Sequence, residues 1–106
     1  MDKVYVAVFT NQDRQFDECG RGHLPLFNPV LGVYEDLWDA INAVCKFLYT
    51  DHKEFEVLDD TSCVDEKGNT IGWEYNFSYK DKNTSASAYY EIQIIAEYIT
   101  PKKEQL

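Results

Sequence analysis

The sequence predicts an α+β fold, a two-layer domain in which a mainly antiparallel sheet of about four strands carries one main helix on one face. The run Thr70–Lys80 has a large apolar side chain at every second position, which is typical of a strand with one buried face. The run Leu37–Leu48 has apolar residues at helical spacing. The chain of 106 residues with 44% hydrophobic residues is enough for one core, which predicts a single domain over 1–100 and a frayed tail at 101–106.

The N-terminal part of the chain predicts a strand followed by a long loop. Lys3–Thr10 is a continuous run of β-branched and aromatic residues, which indicates a central strand covered on both faces. Asn11–Gly22 is polar and glycine-containing without apolar periodicity, which is typical of a loop. Pro25 and Pro29 extend this irregular stretch. Loops of about 20 residues are unusual in small domains and are usually functional or mobile.

The middle of the chain predicts the helix. Gly32–Tyr34 forms a short strand, and Glu35 and Asp36 then supply the acidic first turn. We expect the helix to run to about Tyr49 and to close near Asp51. Its apolar stripe consists of Leu37, Ile41, Val44, Cys45 and Leu48.

The remaining sequence predicts a three-stranded antiparallel meander. A strand around Phe55 ends near Leu58, and residues 65–69 contain the Gly and Asn of a hairpin turn. The aromatic strand follows. After the polar turn Lys80–Ser87, the last strand spans Ala88–Ile99.

The aromatic strand supplies the predicted core. Its side chains on one face are Ile71, Trp73, Tyr75, Phe77 and Tyr79. We expect Trp73, Tyr75 and Phe77 to be largely buried against the helix stripe. Glu74 and Asn76 then lie on the opposite, wetter face.

The charge of the chain is acidic and unevenly distributed. The net charge is −9, and the range Glu35–Asp60 holds eight acids against two bases, a net of −6. Such a field opposes binding to nucleic acid and to anionic membranes. Either the acidity only keeps the protein soluble, or an acidic patch docks on a basic partner. The candidate partner-binding residues are Glu35, Asp36, Trp38, Asp39, Glu54, Glu56, Asp59 and Asp60.

The cysteines and the N-terminus indicate a reducing compartment. Cys19, Cys45 and Cys63 cannot all pair within one chain, and their spacing fits no metal or redox motif. The apolar run near the N-terminus is too short for a signal peptide or a membrane span, so we expect a cytosolic protein. Cys19 and His23 supply at most two local zinc ligands, and their glycine-flanked loop rarely fixes a Cys–His dyad. We therefore expect no metal, no cofactor and no enzymatic activity.

Several aromatic residues remain after the core is filled. Trp38 lies at the edge of the helix stripe, and Tyr5, Tyr34, Tyr49 and Tyr89 fall off the main core faces. Exposed Tyr and Trp are enriched at the centres of protein interfaces. The alternative is that they are boundary aromatics with a wet polar end.

Two segments carry a resemblance. The strand Val4–Val8 and the segment Gly32–Ala40, which enters a helix, together resemble small uncharacterised acidic proteins of phages and mobile elements. The resemblance covers about a third of the chain. It implies a context, since compact acidic proteins of that origin often bind and block host machinery, including restriction and CRISPR nucleases, in the host cytoplasm.

The sequence thus favours a non-enzymatic acidic module that binds and inhibits a basic protein. Helical carboxylates three or four residues apart are separated by about 5–6 Å and can occupy sites meant for phosphates. The extreme form is a nucleic-acid mimic that blocks a nuclease. The alternative is a protein–protein module that uses exposed aromatics and a sheet edge, with the charge serving solubility alone.

Overall fold

The computed structural model of the protein describes residues 2–15 and 24–99. These residues form an α+β fold, as predicted, in which the strands make one antiparallel sheet. The strands are β1 (Asp2–Gln15), β2 (Val30–Tyr34), β3 (Glu56–Val64), β4 (Thr70–Lys80) and β5 (Ser87–Ile99). Their spatial order is β2-β1-β5-β4-β3, so the described sheet has five strands where about four were predicted. Helix α1 (Leu37–Lys46) continues as a π-helical turn, Phe47–Asp51.

β1 is longer than the sequence predicts. Residues Asn11–Gln15 pair with Ser87–Glu91 of β5, so the first part of the predicted loop is strand. One of the polar residues that suggested a loop, Gln12, has a specific partner. The side-chain amide of Gln12 donates to the carbonyl oxygen of Phe27 at 2.9 Å and accepts from its N–H at 2.8 Å. The prediction of a loop is therefore wrong for 11–15, while residues 16–23 lie outside the described part.

β1 is an inner strand of the sheet, as predicted. β1 has neighbours on both sides, but the central strand of the sheet is β5. β5 pairs along its length with β1 and over Ser87–Ile94 with β4. β5 therefore joins the β2–β1 half of the sheet to the β4–β3 half. Such a long-range register cannot be read from a local apolar pattern.

The helix begins where its sequence predicts. Asp36 is the N-cap, and its carboxylate accepts the backbone N–H of Trp38 at 2.8 Å. The helical backbone passes Lys46 and ends at Asp51, whose carboxylate lies 3.1 Å from the Lys46 ammonium. Of the helices that the structure describes, none is long and apolar enough to cross a membrane.

The predicted strand end near Leu58 is wrong. β3 begins at Glu56 and continues to Val64. Val57 and Asp59 pair with consecutive residues of β4, which leaves Leu58 as the extra residue of a β-bulge. The bulge interrupts the alternation of apolar and polar residues. The acidic and hydroxyl residues that follow suit a strand at the edge of a sheet, where both faces are wet.

The hairpin turn between β3 and β4 is confirmed. Gly68 has a φ of +83°, a left-handed conformation that suits glycine. The Asp65 carboxylate accepts the N–H groups of Lys67 and Asn69 at 2.8 and 2.9 Å. The bond from Asn69 contributes most to a lowered pKa of Asp65.

The core lies on one face of the sheet, which we call the core face and define by Ala7, Tyr75, Phe77, Tyr90 and Ile92. These residues share one buried cluster with α1 and the π-helical turn. The contributing helical side chains are Leu37, Ala40, Ile41, Val44 and Leu48.

The predicted burial of the aromatic strand β4 is confirmed only in part. Tyr75 and Phe77 are buried, whereas Trp73 is half-buried. Ile71 is exposed because it is an extra residue of β4, at a second irregularity in the β3–β4 register. Tyr5, which the sequence places off the core faces, is buried in the cluster because it lies on the same face as Ala7.

The opposite, outer face of the sheet is mixed in character. It carries half-buried Val6 and Ile95 on β1 and β5. Glu74 and Asn76 of β4 lie there too, as predicted, and are half-buried. The exposed side chain of Val33 extends the apolar part to β2. The outer face is thus apolar toward β2 and acidic toward β3.

Candidate protein-interaction surface

The predicted acidic residues near the helix lie at the start of α1. Glu35, Asp36 and Asp39 are all exposed. Asp36 is committed to capping the helix, and Asp39 lies in the first turn, where a carboxylate complements the helix dipole. Glu35 borders a surface depression with Lys3. Part of this acidity therefore has a structural role.

The second predicted group lies at and before β3. Glu54, Glu56, Asp59 and Asp60 are exposed. Glu54 lies 3.2 Å from the imidazole Nδ1 of His52. The other three acids stand on β3 itself, and we call them the β3 acids.

The β3 acids point to both faces of the sheet. Asp59 accepts a hydrogen bond from the side-chain amide of Asn76 at 2.8 Å on the outer face. Asp60 accepts one from the indole N–H of Trp73 at 3.0 Å on the core face. Glu56 pairs with Ser78 and shares the outer face with Asp59, because the bulge adds one residue between them.

The two acidic groups do not form one continuous surface. The α1 group follows β2, and the β3 acids lie on the opposite edge of the sheet. Four strand spacings separate these edges, which is about 19 Å in a flat sheet.

A further acidic pair on the outer face was missed from the sequence. Glu74 and Glu91 are diagonal neighbours on β4 and β5, and the Glu91 carboxyl is the main cause of a raised pKa of Glu74. The charge of Asp59 contributes in the same direction. The hydroxyl of Thr10 donates to Glu91. Strand alternation alone puts both glutamates on one face, but only the β4–β5 register brings them together.

The exposed aromatics are spread over the helical segment, the outer face and the C-terminal end of β5, where Tyr98 is 62% exposed. Trp38 is 64% exposed and Tyr49 is 54% exposed. Tyr89 is exposed on β5, and Tyr34 is half-buried against the core. Trp38 therefore remains a candidate contact residue.

A cluster of polar and aromatic groups joins the helix to β3 and β4. Burial raises the pKa of the Tyr75 hydroxyl, with Cys45 and Asp60 contributing in the same direction. Burial also raises the pKa of Tyr49, and Asp60 is the next cause. Asp60 thus lies close to three aromatic side chains, since Trp73 donates to it. The charge of Asp60 therefore acts on the hydroxyl of exposed Tyr49.

The described residues include only two of the four candidate metal and thiol residues. Cys45 is half-buried and Cys63 is exposed, and both are free thiols. Cys19 and His23 lie outside the described residues. Within 2–15 and 24–99, no group of three or more His, Cys, Asp or Glu residues could hold a metal ion.

An apolar cleft opens where β4 and β5 separate, beyond the pair Trp73 and Ile94. Its volume is about 430 Å³, and Ile71, Ile95 and Tyr98 form part of its wall. The Lys3 ammonium lies over the ring of Tyr98, 5.8 Å from its centroid. The cleft is suited to an apolar side chain.

Comparison with protein-family models, with curated proteins and with solved structures found no match to this chain.

Proposed function

We propose that the protein is a non-enzymatic acidic interaction module that binds a basic protein surface and inhibits that protein. The observation that carries the proposal is the exposure of Glu56, Asp59 and Asp60 on both faces of an edge strand. A nuclease or another nucleic-acid-binding protein presents a basic surface, whose positive charge is complementary to these carboxylates. The resemblance to phage proteins supports the same class of partner.

The charge of the whole molecule supports this choice of partner. A net charge of −9 on 106 residues repels nucleic acid and attracts cationic surfaces over about one screening length, roughly 10 Å at 0.1 M salt. Complementary charge raises association rates and rejects partners of the wrong sign. The free thiols of Cys45 and Cys63 favour action in a reducing host cytoplasm.

The packing of the helix on the sheet supports β3 as the location of the binding site. We infer a two-layer arrangement with α1 over the core face, since the helix contacts β1, β2, β4 and β5. Its buried side chains join the core cluster. In this arrangement β3 and the acidic part of the outer face stay available to a partner.

A second candidate is a module that binds through exposed aromatics and a sheet edge. The exposure of Trp38 and Tyr49 favours it. Here the charge provides solubility only, and binding is insensitive to salt.

The test begins with affinity capture from a host lysate at about 0.05 M and 0.5 M salt. The captured partner is then purified and its affinity is measured at both concentrations. We expect binding to weaken at least about tenfold at the higher salt, where the screening length is near 4 Å. We also expect DNA or RNA to compete with the protein for the partner.

Two matched variants separate a specific acidic site from general charge. One carries Glu56→Lys and Asp59→Lys on β3, and the other carries Glu35→Lys and Asp39→Lys at the helix start. Both change the net charge equally, and neither removes the cap at Asp36. We expect the β3 variant to lose binding by about tenfold or more while its denaturation midpoint is nearly unchanged, since exposed charges contribute little to stability.

The other outcomes are equally informative. Equal losses in both variants would show that only the total charge acts, which contradicts a site on β3. An affinity that ignores salt and both variants would favour the aromatic module, for which Trp38→Ala is the damaging substitution.

A further inference from the structure

The outward edge of β3 has backbone hydrogen-bonding groups without a strand partner in the described part of the chain. β3 pairs with β4 on one side, and the strand order places it at the end of the sheet. After the bulge at Leu58, the run Asp59–Cys63 pairs regularly with β4. Alternate N–H and C=O groups of such a run point away from the sheet and can accept another strand.

A second copy of the chain is a poor occupant of this edge. Each copy brings a net charge of −9 and the same three β3 acids. Like charges placed across a strand pair are destabilising. The acids therefore protect the edge from self-pairing, as charged residues do on natural edge strands.

The same acids select a basic occupant. Asp59 and Asp60 are consecutive and point to opposite faces, toward Asn76 and Trp73 respectively. A strand added beside β3 puts its own consecutive side chains on opposite faces as well. Two adjacent basic residues on that strand meet both carboxylates at cross-strand distances of about 5 Å between Cβ atoms.

Both carboxylates are held in place by side chains of β4, and each keeps a second oxygen that no hydrogen bond of the described residues occupies. Each has one oxygen held by a hydrogen bond from β4, at 2.8 Å for Asp59 and 3.0 Å for Asp60. Side chains that are already restrained lose less entropy when a partner binds. The neighbouring Leu58 is 51% exposed and offers an apolar contact at the end of the run.

We propose that β3 accepts an extended basic segment with adjacent Lys or Arg residues as a sixth strand of the sheet. This inference rests on the proposed function and names the form in which the basic partner is recognised. Backbone hydrogen bonds supply part of the affinity, and the paired charges supply the register and the selectivity.

The test uses a synthetic peptide of about eight residues, rich in Thr and Val and carrying one central Lys-Arg pair. Binding is followed by ¹⁵N chemical shifts and amide hydrogen exchange of the full chain. We expect the shifts to centre on β3 and amide exchange within Asp59–Cys63 to slow by about fivefold or more. A peptide with Glu-Glu in place of Lys-Arg should not bind.

Two N-methylated peptides test the backbone component. In one, the N–H groups that point to one edge are methylated, and in the other those that point to the opposite edge. Strand addition requires one set only, so one peptide should lose binding and the other should keep it. If both peptides keep their affinity, the contact is not strand addition and the proposal is wrong.

Two protein variants test the charge component. Asp59→Asn with Asp60→Asn keeps both hydrogen-bond acceptors and should weaken the Lys-Arg peptide by about tenfold. The matched pair Glu35→Gln with Asp39→Asn should change it less than about twofold. Equal losses in the two pairs, or a concentration-dependent dimer whose interface is β3, would overturn the assignment of a basic occupant.

The outcomes for the two proposals can be told apart. A purified natural partner that depends on Glu56 and Asp59 while the peptide fails in these assays leaves the proposed function standing and rejects strand addition. A peptide that binds as expected while no basic partner is captured supports the edge and contradicts the proposed inhibitor role.

Discussion

Truncation of Phe77 tests whether the aromatic strand holds the core together. Phe77 is 0% exposed on the core face of β4. Its ring stacks on that of Tyr90 with centroids 5.2 Å apart and meets Phe55 at 5.0 Å and Phe9 at 6.2 Å. Phe77→Ala therefore removes the ring that lies between three others.

The expected loss follows from the buried area and the cavity. A buried phenylalanine ring removes about 150 Å² from water, worth about 4 kcal/mol at about 25 cal/mol/Å². Measured Phe→Ala changes in cores fall at about 3–5 kcal/mol because the cavity collapses only partly. A domain of this size has a total stability of about 5–15 kcal/mol, so the variant loses a large share of it.

The assay is urea denaturation followed by circular dichroism. With a slope of about 1.3 kcal/mol/M, a loss of 4 kcal/mol lowers the midpoint by about 3 M. Tyr89→Ala is the matched control, because Tyr89 is an exposed aromatic of the outer face that pairs with Ser78, next to Phe77. We expect the control to lose less than about 1 kcal/mol. If Phe77→Ala fails to fold, Phe77→Leu should lose about 1–2 kcal/mol.

A loss below about 1 kcal/mol for Phe77→Ala, or equal losses for both aromatics, would refute this description of the core.

Two further predictions concern the thiols and a buried tyrosine. In a variant without Cys19, exposed Cys63 should be alkylated rapidly and half-buried Cys45 much more slowly, whereas both should react at equal rates in urea. The rates are measured by mass spectrometry after timed labelling, and equal rates in the folded protein would contradict this prediction. Burial raises the pKa of Tyr90 to about 12, and an unfolded tyrosine titrates near 10, so its contribution to stability is complete below about pH 10 and is lost as the pH rises toward 12. Tyr90→Phe should reduce this alkaline slope without abolishing it, because burial also raises the pKa of Tyr75. The slope is measured by denaturation between about pH 9 and 11, and an unchanged slope would show that Tyr90 does not contribute to it.

The sequence was sufficient where periodicity is local and strong. The alternation of Thr70–Lys80 and Ala88–Ile99 gave β4 and most of β5, and the helical stripe gave α1 from Leu37. The hairpin at 65–69 followed from the residue types that a tight turn needs. These elements depend on neighbours along the chain.

The sequence was insufficient where the pairing partner decides the conformation. Asn11–Gln15 is strand because β5 extends beside it and because Gln12 bonds to the irregular segment at Phe27. Polar composition alone favours a loop there. For the candidate site, the exposure of the acids could be predicted, but their division between two edges and the contact of Glu74 with Glu91 depend on register.

The bulge at Leu58 has the largest effect on the candidate site. Without an extra residue, alternation would put Glu56 on the same face as Asp60 and opposite to Asp59. With it, Glu56 and Asp59 share the outer face and Asp60 alone points to the core face, toward Trp73. The outer face then carries an acidic row from β3 to Glu74 and Glu91, while Asp60 lies on the core face. A basic partner can engage both sets of carboxylates at once only by approaching along the edge of β3, and this geometry connects the proposed inhibitor function with the proposed addition of a strand.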